Sequence, residues 1–384
     1  MLVRPSRHYS AEHHAFRDTV RRFVAREIAP FANDWDEAGD FPRELYGKAA
    51  AAGLFAIGFP EAYGGVPDDP FLRLVLFEEM AWSGSGGVGA SLLSHTIGAP
   101  PLLAAGADLK ARVLPAILSG EKISALAITE PGGGSDVAHL STTARREGDH
   151  YVVDGGKIFI TSGMRADFYT VAVRTGGAGE GDPKAGISLL LMERDTPGFT
   201  RSPLKKMGWW ASDTAELHFD ACRVPAENLI GGVGQGFHLI MKNFNSERLG
   251  LAASACGFAQ VCFHDALEWA RQRETFGQRL SQHQVIRHKL VDMAQRIEAT
   301  RAWLDDLAAR LAAGESPLAQ IAMVKNFATG TMQHCADAAV QILGGMGYMR
   351  GTRVERIYRE VKVMMIGGGA DEVMKDLAAR QLGL

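Results

Sequence analysis

The stretch Ala127-Ile128-Thr129-Glu130-Pro131-Gly132-Gly133-Gly134-Ser135-Asp136 lies where the pattern of this 384-residue sequence changes from helical to strand-like. Its apolar beginning is typical of a strand, and one proline with three glycines then predicts a turn. Glycines let the main chain pass close to a ligand, and their amides can form a concavity that binds an anion. Taken alone, the stretch indicates either an ordinary turn or a ligand-binding loop.

The sequence before this stretch, as far as about Lys122, has apolar residues at helical spacing. The first helical run begins after Ser10, which is suited to cap a helix, and ends at Pro30. From about Ile123 to Ile230 the pattern changes to short apolar runs separated by turns such as Asp195-Thr196-Pro197-Gly198. Such evenly spaced short strands are typical of a small barrel or sandwich.

Beyond about Gly236 the pattern is helical again, with three long amphipathic segments at 237–272, 284–313 and 316–343. The loops between these segments are short, which favours an antiparallel bundle. We therefore predict an α+β fold with three consecutive domains. These are an N-terminal helical domain (1–122), a middle small β-barrel domain (123–235) and a C-terminal four-helix bundle (236–384).

Composition and charge exclude several classes of protein. The formal net charge is −3 and the sequence has no basic stripe with interleaved aromatic residues, so we expect no nucleic-acid partner. The first ten residues lack the apolar core of a signal peptide, and no segment is long and apolar enough to span a bilayer. The four cysteines lie at none of the spacings typical of metal ligands, so we expect no metal site and a cytoplasmic protein with reduced thiols.

Three further motifs follow the opening stretch along the chain. They are Gly156-Lys157-Ile158-Phe159-Ile160-Thr161-Ser162-Gly163, then Arg273-Glu274-Thr275-Phe276-Gly277 with His283-Gln284, and finally Gln341-Ile342-Leu343-Gly344-Gly345-Met346-Gly347-Tyr348. Together the four motifs resemble the acyl-CoA dehydrogenase family, flavoenzymes that oxidise CoA thioesters, over essentially the whole chain. The resemblance implies FAD as cofactor, an acyl-CoA substrate, an electron-transfer flavoprotein or similar electron acceptor, and a homotetramer. The same fold also hosts acyl-CoA oxidases, flavin monooxygenases and non-catalytic flavin-binding proteins, which stay open as alternatives.

The resemblance also assigns residues to the FAD site. It places Leu126, Ile128 and Thr129 on one side of the flavin ring, and Phe159 and Thr161 on the other. The family usually has a tryptophan where this chain has Phe159, so the indole N–H donor is missing. Further cofactor contacts are implied for Ser135, Arg273, Thr275, Phe276, Gln284, Ala370 and Glu372, with Gln341 and Gly345 contributed by a neighbouring subunit.

Most of the family carries its catalytic base in a Tyr-Glu-Gly-Thr segment near the C-terminus, and the matching segment here is Ile366-Gly367-Gly368-Gly369-Ala370. Gly368 stands at the glutamate position and cannot abstract a proton, although its amide N–H could polarise the thioester oxygen. Isovaleryl-CoA and long-chain acyl-CoA dehydrogenases carry the base instead on the first long bundle helix, directly before an arginine. Glu247, followed by Arg248, matches that position, and the uncharged run Leu249 to Phe258 follows it. We therefore predict Glu247 as the general base with a pKa raised by burial, against the alternative of a solvated pair of charges.

For the CoA substrate, the resemblance implies contacts from Ser135 at the thioester end, Thr175 near the nucleotide end, Asn245 and Arg248 along the pantetheine channel, and Gly369. Except for Ser135, an ordinary surface role is the alternative for these polar residues. The pair Trp209-Trp210 would either form a wall of the acyl channel or pack between domains, and packing is favoured. The displaced base and the small glycines favour a longer or branched acyl chain, but the sequence leaves its length and branching open.

Overall fold

The computed structural model describes residues 8–176 and 184–384. Helices occupy the first part of the chain, strands the middle part, and long helices the last part, which confirms the predicted α+β architecture. The predicted domain limits at 122/123 and 235/236 fall between elements and stay our proposal. Most of the first ten residues, in which the sequence shows no signal-peptide core, lie outside the described residues.

Short helices that follow local sequence signals build the first part. As predicted, Ser10 caps the first helix, since its Oγ accepts a hydrogen bond from His13 N at 3.4 Å, and Asp69 caps the fourth helix in the same way. The chain leaves the first helix through a π-helical turn, Val24–Ile28, before Pro30. The α-helices of this part are α1 (Ala11–Phe23), α2 (Ala32–Ala38), α3 (Glu44–Ala51), α4 (Pro70–Met80), α5 (Gly86–Leu93), α6 (His95–Gly98) and α7 (Ala107–Leu118).

The middle part forms an eight-stranded sheet within the described residues. Its strands are β1 (Ser124–Ala127), β2 (Thr143–Glu147), β3 (His150–Thr161), β4 (Phe168–Arg174), β5 (Ile187–Glu193), β6 (Phe199–Pro203), β7 (Thr214–Pro225) and β8 (Leu229–Ile230). The strand order is β6-β7-β3-β2-β4-β5-β8, and β1 pairs in parallel with β4. Strands β4 and β5 are buried on both faces, as their nearly continuous apolar sequences require. The opening stretch of the sequence therefore leaves the sheet directly beside a buried strand.

Long helices of the last part pack against the first part. They are α8 (Gly236–Gln272), α9 (Gln284–Ala312), α10 (Leu318–Leu343), α11 (Gly345–Tyr348), α12 (Arg353–Ile366) and α13 (Asp371–Leu382), with the short strands β9 (Glu274–Thr275) and β10 (Gln278–Arg279) between α8 and α9. Helix α8 packs along both α4 and α10. A Cβ added to Gly257 of α8 would lie 2.6 Å from Glu78 O in α4, so this helix pair is close because a small residue stands there. One hydrophobic core therefore includes residues from all three parts.

The described residues also bear on membrane and metal binding. Within residues 8–176 and 184–384, no helix combines the length and apolarity needed to cross a bilayer. The same two ranges contain no group of three or more His, Cys, Asp or Glu side chains that could hold a metal ion. Cys222, Cys256, Cys262 and Cys335 are buried free thiols.

Candidate functional site

The predicted base lies beside the glycine turn that occupies the family's usual base position. Glu247 stands on α8, and the turn 366–370 joins α12 to α13. A Cβ added to Gly368 would lie 3.9 Å from Glu247 Oε1 and 2.6 Å from Leu251 Cδ1. Folding therefore brings the Glu247 carboxylate to the space that a side chain at residue 368 would enter.

Arg248 holds the glycine turn against α8. Its Nε donates a hydrogen bond to Gly368 O at 3.0 Å, and its Nη1 donates to Asn245 Oδ1 at 3.2 Å. Gly368 has a φ of +67°, a left-handed conformation that glycine adopts without the cost a side chain would add. Arg248 and Asn245, both predicted along the substrate channel, thus also position the turn that faces Glu247.

The Glu247 carboxylate is buried but not neutralised by a bonded partner. The residue as a whole is partly exposed, yet within the part of the chain that the structure describes its Oε2 is buried and has no hydrogen-bond partner. Burial raises the pKa of Glu247 to about 7, although the positive charges of Arg248 and Lys325 act in the opposite direction. A carboxylate with this pKa can accept a proton at neutral pH and keep it, which is what a general base requires.

Lys325 is a residue of this site that the sequence analysis missed. Its side chain is fully buried on α10, and its Nζ donates to Met365 O at 3.0 Å and to Gly369 O at 2.8 Å. One signal was present in the sequence, because Lys325 interrupts the apolar face of a long amphipathic helix, where a lysine must find partners. Its partners, however, lie forty residues and more along the chain.

A second buried carboxylate, Glu130, holds the opening stretch of the sequence together. Its Oε1 accepts a hydrogen bond from Lys157 Nζ at 2.7 Å, and the Ser141 hydroxyl and the backbone amides of Ser141 and Thr142 donate to its two oxygens. Lys157 Nζ also donates to Ile128 O at 3.1 Å. Burial would raise the pKa of Glu130, but Lys157 and these donors outweigh burial and lower it to about 2. Both residues lie within the first two motifs, but their pairing was not predicted from the sequence.

The Glu130–Lys157 pair brings the first two motifs into contact. Ile158 N donates to Thr129 O at 2.9 Å, so the opening stretch and β3 run side by side. Between Lys157 and Ile160, β3 carries one residue more than its partner strand β7, which is a β-bulge. Phe159 lies in this bulge with a φ of +62° and with 66% of its surface exposed. A bulky residue in the left-handed region is strained, and the bulge turns its ring out of the core.

The residues predicted around the flavin ring fit a flat group with a polar edge. Leu126, Thr129 and Thr161 are partly exposed, as is the ring of Phe159, whereas the side chain of Ile128 is buried and its carbonyl accepts the hydrogen bond from Lys157. An aromatic ring can cover a planar cofactor, and threonine hydroxyls can donate and accept hydrogen bonds at its rim.

The residues predicted to contact the rest of FAD lie on exposed surface. Arg273 follows α8, and Phe276 is 98% exposed at the β9–β10 turn, where its φ is +51°. Thr275 Oγ1 lies 3.2 Å from His283 Nε2, directly before Gln284 at the start of α9. Four more predicted residues lie at helix ends: Gln341 at the end of α10, Gly345 at the start of α11, and Ala370 and Glu372 at the start of α13.

Besides Asn245 and Arg248 on α8, the predicted substrate contacts lie in three separate loops. Ser135 is exposed in the glycine-rich loop after β1. Thr175 follows β4, and its Oγ1 lies 2.6 Å from Ser188 Oγ. Gly369 has a φ of +116°, and a Cβ there would lie 2.4 Å from Met374 Cε, so a larger residue would have to displace Met374.

The tryptophan pair lies between the middle and last parts of the chain. The guanidinium groups of Arg350 and Arg359 stack on Trp210 at 4.5 Å and 3.9 Å from the ring centroid, and Trp210 Nε1 donates to Lys206 O. Trp209 packs against α5, because a Cβ added to Gly86 would lie 2.4 Å from Trp209 Nε1. These contacts agree with the packing interpretation of the pair.

Comparison with known proteins places this geometry in one family. The acyl-CoA dehydrogenase N-terminal, middle and C-terminal domain models match residues 10–121, 125–222 and 234–383. The chain is 36% identical to the long-chain specific acyl-CoA dehydrogenase of Rattus norvegicus over 97% of this chain and 87% of that protein, and 38% identical to an acyl-CoA dehydrogenase of Bacillus subtilis over 98% and 99%. The solved structure of the acyl-CoA dehydrogenase from Geobacillus kaustophilus is 39% identical and superposes with a TM-score of 0.94, covering 99% of this chain and 100% of that one. The chain therefore belongs to the acyl-CoA dehydrogenase family, whose members are FAD-dependent oxidoreductases.

Proposed function

We propose that this protein oxidises an acyl-CoA thioester to the trans-2-enoyl-CoA, with Glu247 as the base that removes the α-proton. The observation that carries the proposal is the position of the Glu247 carboxylate: its Oε1 would lie 3.9 Å from a Cβ at Gly368, and its buried Oε2 has no hydrogen-bond partner among the described residues. FAD, when bound, supplies the acceptor for the β-hydrogen, which leaves with its electron pair as hydride. The electrons of the broken α-C–H bond form the new double bond, and the α-proton ends on the Glu247 carboxylate.

The raised pKa of Glu247 suits this role. A base whose pKa of about 7 lies near the working pH is both ionised in part of the population and basic enough to hold the proton it removes. The Gly368 amide N–H would polarise the thioester oxygen and so acidify the α-proton. Arg248, which bonds to Gly368 O, would keep that amide in place.

We propose that the flavin ring lies with Thr129 on one side and Phe159 on the other, where the first two motifs run side by side. Thr161 and the main chain of Leu126 and Ile128 would complete its edge. Arginine binds paired phosphate oxygens through its planar fork, which suits Arg273 to the diphosphate. We propose contacts with the CoA substrate from five residues: Ser135 at the thioester end, Thr175 near the nucleotide end, Asn245 and Arg248 along the pantetheine channel, and Gly369.

We propose that the protein assembles as a homotetramer built from two dimers. Two exposed apolar side chains support this: the predicted cofactor contact Phe276 is 98% exposed, and Tyr348, three residues after the predicted contact Gly345, is 82% exposed. A partner subunit that covers these side chains would bring its Gln341 segment to the FAD site. Light scattering with chromatography tests the assembly, and an FAD-loaded monomer would exclude it.

We further propose an electron-transfer flavoprotein or a similar carrier as electron acceptor, in the cytoplasm. Four buried free cysteines support a reducing compartment. Measurement of oxygen uptake distinguishes the two kinds of electron acceptor. A dehydrogenase turns over with a dye and consumes little oxygen, whereas an acyl-CoA oxidase would consume oxygen rapidly and release peroxide.

The decisive experiment mixes the FAD-loaded protein with straight and branched acyl-CoAs without oxygen and follows bleaching of the flavin. Glu247→Gln should slow bleaching by about a thousandfold or more while FAD stays bound, because the base is lost and little volume changes. Glu268→Gln is the matched control, since Glu268 lies on the same helix with 44% of its side chain exposed. Bleaching at the parent rate by Glu247→Gln would refute Glu247 as the base, and failure of every acyl-CoA to bleach the parent would point to a non-catalytic flavin-binding protein.

A further inference from the structure

The buried lysine on α10 connects the two segments of the proposed site. Lys325 Nζ donates to Met365 O and to Gly369 O, and these two carbonyls bracket the glycine turn. Gly368 O, between them, accepts the bond from Arg248. Three main-chain carbonyls of one turn are therefore held by two cations from two different helices.

A cation at this position is exceptional in the surrounding helix. Of the neighbours of Lys325 on the same helix face, Ile321, Ala322 and Ala328 are buried and apolar, and the fourth, Thr329, is buried and uncharged. An ammonium group buried in such surroundings costs free energy unless its donors are used, and two carbonyls use two of the three. The third faces Asp371, whose Oδ1 lies 3.9 Å from Nζ.

The charges around Glu247 come from two helices. Arg248 lies on α8 itself, and Lys325 lies on α10; both stabilise the ionised form of the Glu247 carboxylate against burial. On α13, Asp371 and Glu372 act on Lys325 and favour its charged form, whereas burial lowers the pKa of Lys325 to about 8. Lys325 Nζ bonds to Gly369 O, and Glu247 Oε1 would lie 3.9 Å from a Cβ at the adjacent Gly368, so the turn and the carboxylate lie around one cation.

We propose that Lys325 is a positioning residue for the reaction: its ammonium group clamps the Met365–Gly369 turn against α10 and supplies positive charge that keeps the Glu247 carboxylate ionised. This rests on the proposed role of Glu247 as base. Lys325 does not accept a proton from substrate in this scheme. It fixes the position of the Gly368 main chain and lowers the pH above which Glu247 is ionised.

The test measures the rate of anaerobic flavin bleaching by a good acyl-CoA substrate against pH. Lys325→Met removes both the charge and the donors, whereas Lys325→Gln removes the charge and keeps an amide donor for one carbonyl. For both variants we expect the midpoint of the acid limb to rise by about one pH unit, with a rate about tenfold lower near pH 7. Lys362→Met is the control, because Lys362 is exposed on α12 and touches the same turn only at Met365 Sδ, 3.9 Å away. Its midpoint should equal that of the parent.

A variant with less risk to folding gives an independent measurement. Neutral Lys325 would hold the two turn carbonyls less firmly than the ammonium form, so the bleaching rate should also fall at alkaline pH, where Lys325 loses its proton. Asp371→Asn removes the carboxylate that favours the charge of Lys325, so this alkaline limb should move to lower pH. A folded, FAD-loaded Lys325→Met with the parent midpoint would overturn the proposal. If Lys325→Met does not fold, an unmoved alkaline limb in Asp371→Asn would overturn it. If the proposal about Lys325 fails in either way while Glu247→Gln is inactive, Glu247 remains the proposed base. An active Glu247→Gln refutes Glu247 as the base.

Discussion

Two buried carboxylates of this protein, Glu130 and Glu247, have opposite surroundings. Glu130 is paired with Lys157 and accepts three further hydrogen bonds from Ser141 and Thr142, and its pKa falls to about 2. Glu247 keeps a buried oxygen without a partner among the described residues, and its pKa rises to about 7. Burial raises the pKa of both, so the bonded partners decide the outcome.

The difference separates a structural carboxylate from a reactive one. A carboxylate that stays ionised at every physiological pH can hold two segments together but cannot exchange a proton. A carboxylate that titrates near neutrality destabilises the folded protein when it ionises, and this cost is characteristic of functional sites. Glu130 therefore joins the first two motifs of the sequence, whereas Glu247 has the properties expected of the proposed base.

The largest stability effect is expected when Glu130 loses its partner. Lys157→Met would leave a buried carboxylate without its cation and should lower the free energy of unfolding by about 3–5 kcal/mol, with loss of FAD. Arg145→Met is the control, because Arg145 pairs with Glu147 at the exposed surface and its loss should leave the free energy of unfolding almost unchanged. Denaturant unfolding with flavin absorbance measures both, and a Lys157→Met protein as stable as the parent would mean that the pair is not structural.

Glu247→Gln, in contrast, should raise the free energy of unfolding. The pKa of Glu247 is higher in the folded protein, about 7, than its ordinary value of 4.5, so folding favours its protonated form. The stability it contributes is present below about pH 4.5 and is lost as pH rises through about 7. Glu247→Gln should therefore stabilise the FAD-loaded protein by about 2–3 kcal/mol near pH 8 and by little near pH 5. Equal melting-temperature changes at both pH values would contradict a raised pKa.

The same pKa predicts an acid limb in the activity of the parent. Below about pH 7 the rate of flavin bleaching should fall about tenfold per pH unit, because protonated Glu247 cannot accept the α-proton. The flavin spectrum before mixing shows whether FAD stays bound across the range. A rate that does not change between about pH 5 and pH 8 would show that Glu247 titrates elsewhere or that another step limits bleaching.

The smallest effect is expected at Phe159, which lies in β3 two residues after Lys157, the partner of Glu130. Phe159→Trp restores an indole N–H beside the proposed flavin groove and should strengthen FAD retention by about 1 kcal/mol or less. It should leave the acid limb unchanged, since Phe159 contributes nothing to the charge on Glu247. Flavin release during dilution measures the first effect, and a shifted acid limb would show that the two regions are not independent.

The sequence by itself determined the order of helices, strands and helices, and local rules explain why. Ser10 was identified as a cap because a capping side chain bonds to an amide three residues away. The four motifs identified the family, and the glycine at residue 368 directed attention to Glu247. Each of these inferences needs only residue types at short or fixed spacing.

Only the tertiary structure decided what surrounds the two carboxylates. The bond from Arg248 to Gly368 spans 120 residues, and the Lys157–Glu130 and Lys325–Gly369 contacts span 27 and 44. The sequence shows that all of these residues carry charges or lack side chains, but not which of them meet. Ionisation depends on burial and on partners within a few ångströms, and packing of distant segments sets both. For that reason a candidate base could be proposed from its position in the sequence, whereas Lys325 could be found only in the folded chain.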